Sequence, residues 1–224
     1  MKKGNFQQLI TRIDGMLGKA KDMSETVKIL YEKGDVEEAY EAAYYLEEIT
    51  EKAVLLTRAL PTYAGAPRAK SDVNHIIAKT VPIEIGYTKE GWLSVRMPML
   101  LPKKERGSAD YIRQIMYPAM QRFFRGKLST KLDDATIVFR HVYSEDRPER
   151  RLRDHDNIET NMVSDIICVF ALIDDGPKYC SHLYMSASGN DERTEVYVVP
   201  NDQLCDFIHR EKLMGKEAEK LYET

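Results

Sequence analysis

Apolar residues recur every three or four positions through the first part of the chain, as on one face of a helix. The repeat runs over residues 5–60 and includes Phe6, Leu9, Ile13, Leu17, Val36, Ala39, Leu46 and Ile49. Gly34 and Asp35 interrupt it, and Asp35 followed by Glu38 is typical of a capping box that begins a second helix. The pattern therefore predicts an antiparallel helical hairpin over residues 1–60, with its second helix ending before Pro61.

The pattern changes beyond this hairpin. Prolines, a glycine and alanines between residues 61 and 71 indicate a linker, which we place at residues 61–80. Alternating residues or short apolar runs then predict strands at residues 82–87, 92–97, 135–143, 179–186 and 193–199. The last two strands are separated by Ser188-Gly189-Asn190-Asp191, which is typical of a hairpin turn.

Helical spacing reappears between these strands. It predicts helices from Ser108 to about Phe124, after Asp156, and from Asp202 to Tyr222. The buried face of the second helix is expected to contain Ile158, Met162, Ile166 and Phe170, with Val163 and Ile167 alongside. Residues 81–200 are therefore expected to form one α+β (α/β) domain with a mixed sheet and packed helices. A C-terminal helix at residues 201–224 follows.

Composition narrows the class of protein. The chain has 224 residues, of which 43% are hydrophobic and 31% charged, enough for one sizeable core. No apolar run is long enough to span a membrane, and the N-terminus lacks the apolar core of a signal peptide. We therefore expect a cytoplasmic protein without a membrane partner. Cys168, Cys180 and Cys205 lack Cys-x-x-Cys spacing, which favours reduced thiols over disulfides or a zinc site.

Charge is distributed unevenly along the chain. Residues 96–153 contain 14 Lys and Arg against 7 Asp and Glu, whereas residues 154–224 contain 6 against 15. A basic segment followed by an acidic one fits a phosphate-binding face beside a metal site. The same distribution also fits two segments that neutralise each other in the fold, so charge by itself does not choose between them.

Two pairs of carboxylates lie on either side of the helix after Asp156. Asp154 and Asp156 follow a basic run, and Asp174 and Asp175 close the helix. Crowded carboxylates raise each other's pKa, and a hard divalent cation removes that penalty. Arginines beside such a site suit phosphate. The stretch therefore suggests metal-assisted phosphodiester chemistry, although each fragment by itself also fits a helix cap or a turn.

The stretch Arg153-Asp154-His155-Asp156-Asn157, with the later Ile173-Asp174-Asp175, resembles the active-site region of the RusA-like endodeoxyribonucleases, the Holliday junction resolvases of phage and bacterial origin. The resemblance covers roughly residues 93–200. It implies a RusA-like fold, a homodimer, and Asp154, Asp156 and Asp175 as catalytic metal ligands, with Asp174 beside them. It also implies Mg²⁺ or Mn²⁺ as the cofactor and branched or junction DNA as the substrate. The family's essential lysine on the first turn of the helix is replaced here by Thr160.

Residues around the carboxylates have predicted supporting roles. DNA contacts are expected from Lys103, Lys104, Arg106, Arg147, Arg150, Arg151 and Arg153. Support of the site is expected from Asn157, Asn161, Asp165 and Lys178. Asp165 also fits a buried structural hydrogen bond, and Lys178 also fits a solvent-facing position. His141 is expected on the surface of its strand, and His155 is expected to point away from the metal.

Two functions follow from the resemblance. The first is a Mg²⁺-dependent, structure-selective DNA endonuclease. The alternative, motivated by Thr160 and the extra helices, is a catalytically weakened or inactive RusA-like accessory factor of a phage or mobile element that binds DNA or protein. The helical hairpin at residues 5–60 is expected to dimerise or to dock a protein partner. A third interpretation is an α/β protein whose acidic pairs are only caps and turns.

Overall fold

The computed structural model describes residues 3–105, 107–127, 130–145, 154–214 and 217–223. The chain forms two compact units, Met1–His75 and Ile76–Thr224. The fold class is α+β, as predicted, with an N-terminal helical hairpin and a mixed sheet with packed helices. Among the described residues, no helix combines the length and the apolar character that crossing a membrane requires.

The first unit contains the predicted helical hairpin. Helix α1 spans Lys3–Lys33 and helix α2 spans Val36–Tyr63. Gly34 joins them with a φ of +85°, a conformation that favours glycine. The predicted capping box is wrong, because the Asp35 side chain makes no capping hydrogen bond. The predicted helix end is also wrong: α2 continues through Pro61, whose missing N–H removes only one hydrogen bond near the helix terminus.

The predicted linker is largely helical. Helix α3 spans Ala69–Thr80, and the boundary between the two units falls inside it, between His75 and Ile76. The prolines that indicated a linker come before this helix, and only residues 64–68 separate α2 from α3. Proline and glycine therefore marked a short break correctly but overstated its length.

The second unit is built on a five-stranded sheet. Its strands are β1 (Glu84–Tyr87), β2 (Leu93–Met97), β3 (Ala135–Ser144), β4 (Cys180–Gly189) and β5 (Arg193–Pro200). They are arranged in the order β1-β2-β5-β3-β4. Strands β3 and β4 are parallel and the other neighbouring pairs are antiparallel, so the sheet is mixed.

The hairpin predicted between β4 and β5 is wrong, because β3 lies between them. β3 pairs in parallel with β4, beginning at Ala135 and Cys180, and in antiparallel with β5. All but the last residue of β3 are buried. A strand buried on both faces is stable at the centre of a sheet, where it has neighbours on both sides. The turn residues at 188–191 correctly predicted that the chain reverses there. They did not reveal that β3 lies between β4 and β5.

Helices cover both faces of the sheet. They are α4 (Ser108–Phe123), α5 (Asn161–Ala171) and α6 (Leu204–Glu211). Helices α4 and α5 share one face and contact each other through the rings of Tyr117 and Phe170, whose centroids are 5.5 Å apart. On the second face, Phe207 of α6 packs against Trp92 and Tyr197. The strands therefore have buried side chains on both sides of the sheet.

Three further expectations are wrong. His141 is fully buried, with 0% exposure, because β3 is central and helix-covered. Helix α5 begins at Asn161, so Ile158 precedes it, and pairs with Lys103 in an isolated bridge. The terminal helix ends at Glu211. Residues 217–223 contain no helix, because the backbone there pairs with the edge of β1.

Candidate functional site

Asp174 and Asp175 lie in the turn that joins α5 to β4. The backbone N–H of Asp175 donates to Oδ1 of Asp174 at 2.9 Å. At the far end of the turn, the N–H of Cys180 donates to the carbonyl of Gly176 at 3.0 Å. Both aspartate side chains are exposed. The turn therefore presents two adjacent carboxylates to solvent from a hydrogen-bonded backbone.

Cys168 lies beside this pair. One ligand atom each from Cys168, Asp174 and Asp175 lie within 4.8 Å of one another, and the described residues form no other such group of His, Cys, Asp and Glu. Among those residues, no lysine or arginine forms an ion pair with either aspartate. Lys131 donates its Nζ to the Cys168 carbonyl at 3.3 Å. The cluster is therefore acidic, with one lysine at its edge.

The negative charge of the cluster shifts the pKa of neighbouring titratable groups. Burial and the charges of Asp175, Asp174 and Asp165 raise the pKa of the Cys168 thiol, while Lys131 opposes them. A thiol held in its neutral form is a poor metal ligand. The two carboxylates, with oxygen donors, are the part of the group that fits Mg²⁺ or Mn²⁺.

Burial also shifts two groups on β4. It raises the pKa of the Cys180 thiol, and the charge of Asp175 adds to that effect. It lowers the pKa of His182, against the opposing charge of Asp175. The charge of Asp175 therefore acts on both Cys180 and His182 at the beginning of β4.

Asp154 and Asp156 lie at the other end of α5. They are exposed and flank the start of a short 3₁₀ turn, His155–Asn157. The Asn157 carbonyl accepts the backbone N–H of Lys104 at 2.9 Å. The structure therefore brings the predicted basic loop, Lys103 and Lys104, next to this first acidic pair.

Helix α5 separates the two acidic pairs. The helix has 11 residues and is about 16 Å long. Ser186, near the end of β4, contacts His155, whereas Asp175 acts on Cys180 and His182 at its beginning. The ligands of one cation lie within a few ångströms of it. The described residues of a single chain therefore do not bring Asp154, Asp156 and Asp175 into the one site that the sequence suggested, and their roles as metal ligands stay predictions.

A row of polar side chains connects the two ends. Nε2 of His182 is 3.0 Å from the hydroxyl of Ser164, and the hydroxyls of Tyr184 and Thr160 are 3.5 Å apart. Thr160 is only 5% exposed. The position of the family's lysine thus carries a buried hydroxyl that faces β4 and not the exposed carboxylates.

The sequence did not identify this row. His182, Tyr184 and Ser186 recur at every second residue of β4, which places them on one face, and that spacing was the available signal. The contact of these residues with α5 depends on the parallel pairing of β3 with β4. The turn residues 188–191 had instead predicted that β4 pairs with β5. The ring of His155 packs near those of His141 and Tyr184. His155 therefore faces the sheet, consistent with the expectation that it is not a metal ligand.

The remaining predicted residues are dispersed. Asn157 and Asn161 are exposed. Asp165 is exposed too, so the alternative of a buried hydrogen bond is wrong, and its charge adds to the acidic turn. Lys178 is exposed, with its Nζ 5.4 Å from the centre of the Tyr179 ring. Arg106, Arg147, Arg150, Arg151 and Arg153 lie outside the described residues, so their predicted DNA contacts stay predictions.

A second charged cluster lies on the opposite face of the sheet. Glu195, only 1% exposed, accepts hydrogen bonds from Arg140 at 3.0 Å and from Arg193 at 2.6 Å. The hydroxyl of Tyr197 donates to it at 2.8 Å. Arg140 also donates to Glu211 of α6 at 2.9 Å. This cluster is buried and internally paired, and it fastens α6 to the sheet.

The fold and the site define an α+β protein with an exposed carboxylate pair at one end of a sheet-packed helix. The chain belongs to a family of unknown function, DUF6100, whose profile matches residues 2–224. No curated protein matches the chain. A solved structure, the periplasmic domain of Helicobacter pylori MotB (residues 90–256), is similar at a TM-score of 0.31 and 12% identity, over 61% of this chain and 91% of that chain. A TM-score this low supports no inference about fold or function.

Proposed function

We propose that this protein is a divalent-cation-dependent DNA endonuclease similar to the RusA-type junction resolvases. One observation carries the proposal: Asp174 and Asp175 present two adjacent, exposed carboxylates that no described lysine or arginine neutralises. Unpaired carboxylates in such proximity repel each other, and Mg²⁺ or Mn²⁺ binding removes the repulsion. The family resemblance of the surrounding sequence supplies the reaction class.

The residues of the chain have distinct roles in this proposal. Asp174 and Asp175 hold the cation, which when bound activates water and stabilises the charge that develops on the phosphate. Lys103 and Lys104 attract the DNA backbone beside Asp154 and Asp156. The predicted dimer presents two such surfaces to a symmetric junction.

The second candidate is a protein that binds DNA without cleaving it. Thr160 favours it, because its hydroxyl is buried within 3.5 Å of the Tyr184 hydroxyl and supplies no positive charge to the scissile phosphate. Lysine at an active site stabilises the transition state of phosphoryl transfer, so its replacement weakens catalysis more than binding.

Incubation of the purified protein with a synthetic four-way DNA junction and Mg²⁺ tests both candidates. We expect cleavage that requires the cation and is lost in Asp175→Asn. The matched control is Asp22→Asn, which makes the same change at an exposed position of α1 and is expected to retain activity. Asp156→Asn reports whether the first acidic pair also takes part.

The outcomes separate the candidates. Junction binding that persists without cleavage in the wild-type protein favours the binding protein. Neither binding nor cleavage on junction, flap or duplex DNA rejects the nucleic-acid function altogether. Cleavage that survives Asp175→Asn would remove the acidic turn from the proposal.

A further inference from the structure

Strand β4 forms one edge of the sheet. It pairs with β3 over ten consecutive residue pairs, from Ala135↔Cys180 to Ser144↔Gly189, without a bulge. Among the described residues, no other strand pairs with it. Its sequence, Cys180-Ser181-His182-Leu183-Tyr184-Met185-Ser186-Ala187-Ser188-Gly189, contains no lysine, arginine, aspartate, glutamate or proline. A regular strand of this length, about 33 Å, presents a row of backbone donors and acceptors at its outer edge.

Among the described residues, the opposite edge is protected in three ways that β4 lacks. β1 has only four residues, and its Glu84 is charged and paired with Arg96 at 2.6 Å. The chain also covers it: Tyr87 and Tyr222 exchange backbone hydrogen bonds of 2.8 and 2.9 Å. Natural proteins generally shorten, charge or cover their sheet edges, because bare edges pair with other strands. Within the part of the chain that the structure describes, one edge is thus protected and the other is suited to pairing.

We infer that β4 pairs in antiparallel with β4 of a second copy of this chain, which joins two sheets into one. The strand carries no lysine, arginine, aspartate or glutamate, so no like charges oppose its pairing with a second copy of itself. Tyr184, near the middle of the strand, is 38% exposed and adds an apolar side chain to this pairing.

The pairing has a defined geometry. In an antiparallel pair, residues directly opposite each other point to the same face. The two-fold axis therefore passes beside Tyr184 or Met185, which faces its own copy. Ser186 then lies opposite His182 or Tyr184 of the second copy, on the face that carries α5. The two α5 helices lie antiparallel on the same face of the joined sheet.

This geometry deepens the proposed nuclease function and, in this part, rests on it. Asp154 and Asp156 lie at the start of α5, and Asp174 and Asp175 lie after its end. Because the two helices run in opposite directions, the first acidic pair of one copy lies at the same end as the second acidic pair of the other. The dimer therefore places at one end of the joined sheet the carboxylates that lie at opposite ends of α5 in one chain, and a shared site would form between two chains there.

Light scattering after size-exclusion chromatography tests the pairing itself. We expect the wild-type protein to have twice the 25.8 kDa mass of the chain. Ser186→Lys places a positive charge on the edge strand and is expected to give monomers. Ser24→Lys makes the same change at an exposed position of α1 and is expected to remain dimeric. A monomeric wild-type protein, or a dimeric Ser186→Lys variant with native circular dichroism, would overturn the inference.

Hydrogen exchange provides a readout that does not depend on a variant. The amides of β4 that point outward are expected to become protected as protein concentration rises, while those of the exposed α1 surface keep their rates. Rapid exchange of these outward amides in a protein that is a dimer would place the dimer contact elsewhere.

Mixing two inactive variants tests the shared site. In a mixed dimer of Asp156→Asn with Asp175→Asn, one of the two inter-chain sites keeps all its aspartates. Random mixing leaves about a quarter of the sites complete. We expect junction cleavage to return to about that fraction of the wild-type rate. No recovery, with an active wild-type protein, contradicts a shared site. An inactive wild-type protein rejects the nuclease function, and the mass measurement then still decides the pairing.

Discussion

The two faces of the sheet carry charged clusters of opposite design. On one face, Glu195 is buried among Arg140 and Arg193, and every charge has an opposite partner within hydrogen-bond distance. On the other face, Asp174 and Asp175 are exposed, adjacent to each other, and unpaired with any described lysine or arginine. Both clusters occur within one small sheet.

The difference lies in what each cluster needs to be stable. Burial by itself would raise the pKa of Glu195, but the hydrogen bond from Arg193 and the charge of Arg140 outweigh it and lower that pKa. Because the charges of the buried cluster pair with one another, this cluster does not need an external ion to balance them. The acidic turn avoids desolvation by remaining in water, where its carboxylates need no buried partner. Charge density alone therefore does not distinguish the two clusters, whereas the pairing of their charges does.

Removing the central carboxylate of the buried cluster is expected to have the largest effect. Glu195→Gln leaves Arg140 and Arg193 buried without their shared anion, which costs about 3–5 kcal/mol of unfolding free energy. Urea denaturation measures the loss. Glu105→Gln, the same change at an exposed residue, is expected to shift stability by less than about 0.5 kcal/mol. Equal stability of the two variants would show that the buried cluster contributes no net pairing energy.

Acid is expected to have a smaller effect through the same residue. Because the pKa of Glu195 is lower in the folded protein than in the unfolded chain, its contribution is complete above the unfolded pKa of about 4.3. It is lost as pH falls through the lower, folded pKa. The urea midpoint of the wild-type protein should therefore fall more steeply below about pH 4.3 than that of Glu195→Gln. Parallel pH profiles would mean that other carboxylates dominate acid unfolding.

The smallest expected effect is on the reactivity of Cys168. Burial and then the carboxylates of the acidic turn raise the pKa of its thiol, so alkylation by iodoacetamide at neutral pH should be slow. Asp174→Asn together with Asp175→Asn should accelerate it about threefold, a modest factor because water screens the charges. Mg²⁺ bound at the turn should have the same effect on the wild-type protein and none on the double variant. The exposed Cys205 provides the internal reference.

Hydrophobic periodicity predicted the elements well and their arrangement less well. Helices α1, α2 and α4 and strands β2 and β3 follow from local spacing, because each is long or strongly patterned. The parallel pairing of β3 with β4 does not, since it depends on α5 returning the chain across the sheet. His141 was misplaced for the same reason: local alternation does not reveal that β3 has neighbours on both sides.

For the candidate site, too, the sequence predicted the local elements better than their arrangement in space. Asp174 and Asp175 lie in a turn, as their sequence indicated, and Asp154 and Asp156 precede a helix. That the pairs are far apart follows from the length of α5, because a helix lengthens by 1.5 Å with each residue. The contribution of Cys168 could have been found from its position six residues before Asp174, on the last turns of the same helix.

The segment that covers β1 has a consequence for how the protein is made. Tyr222 pairs with Tyr87, and Arg96 donates to the carbonyl of Glu219 at 2.7 Å, so the cover is drawn from residues translated long after the strand it protects. At Gly86, an added Cβ would lie 2.8 Å from Cβ of Leu221, so the fit leaves no space for a side chain. While the ribosome is still adding the intervening residues, the nascent sheet has both edges open. Chaperone demand that arises from the open β1 edge should therefore fall when residues 217–223 emerge and dock.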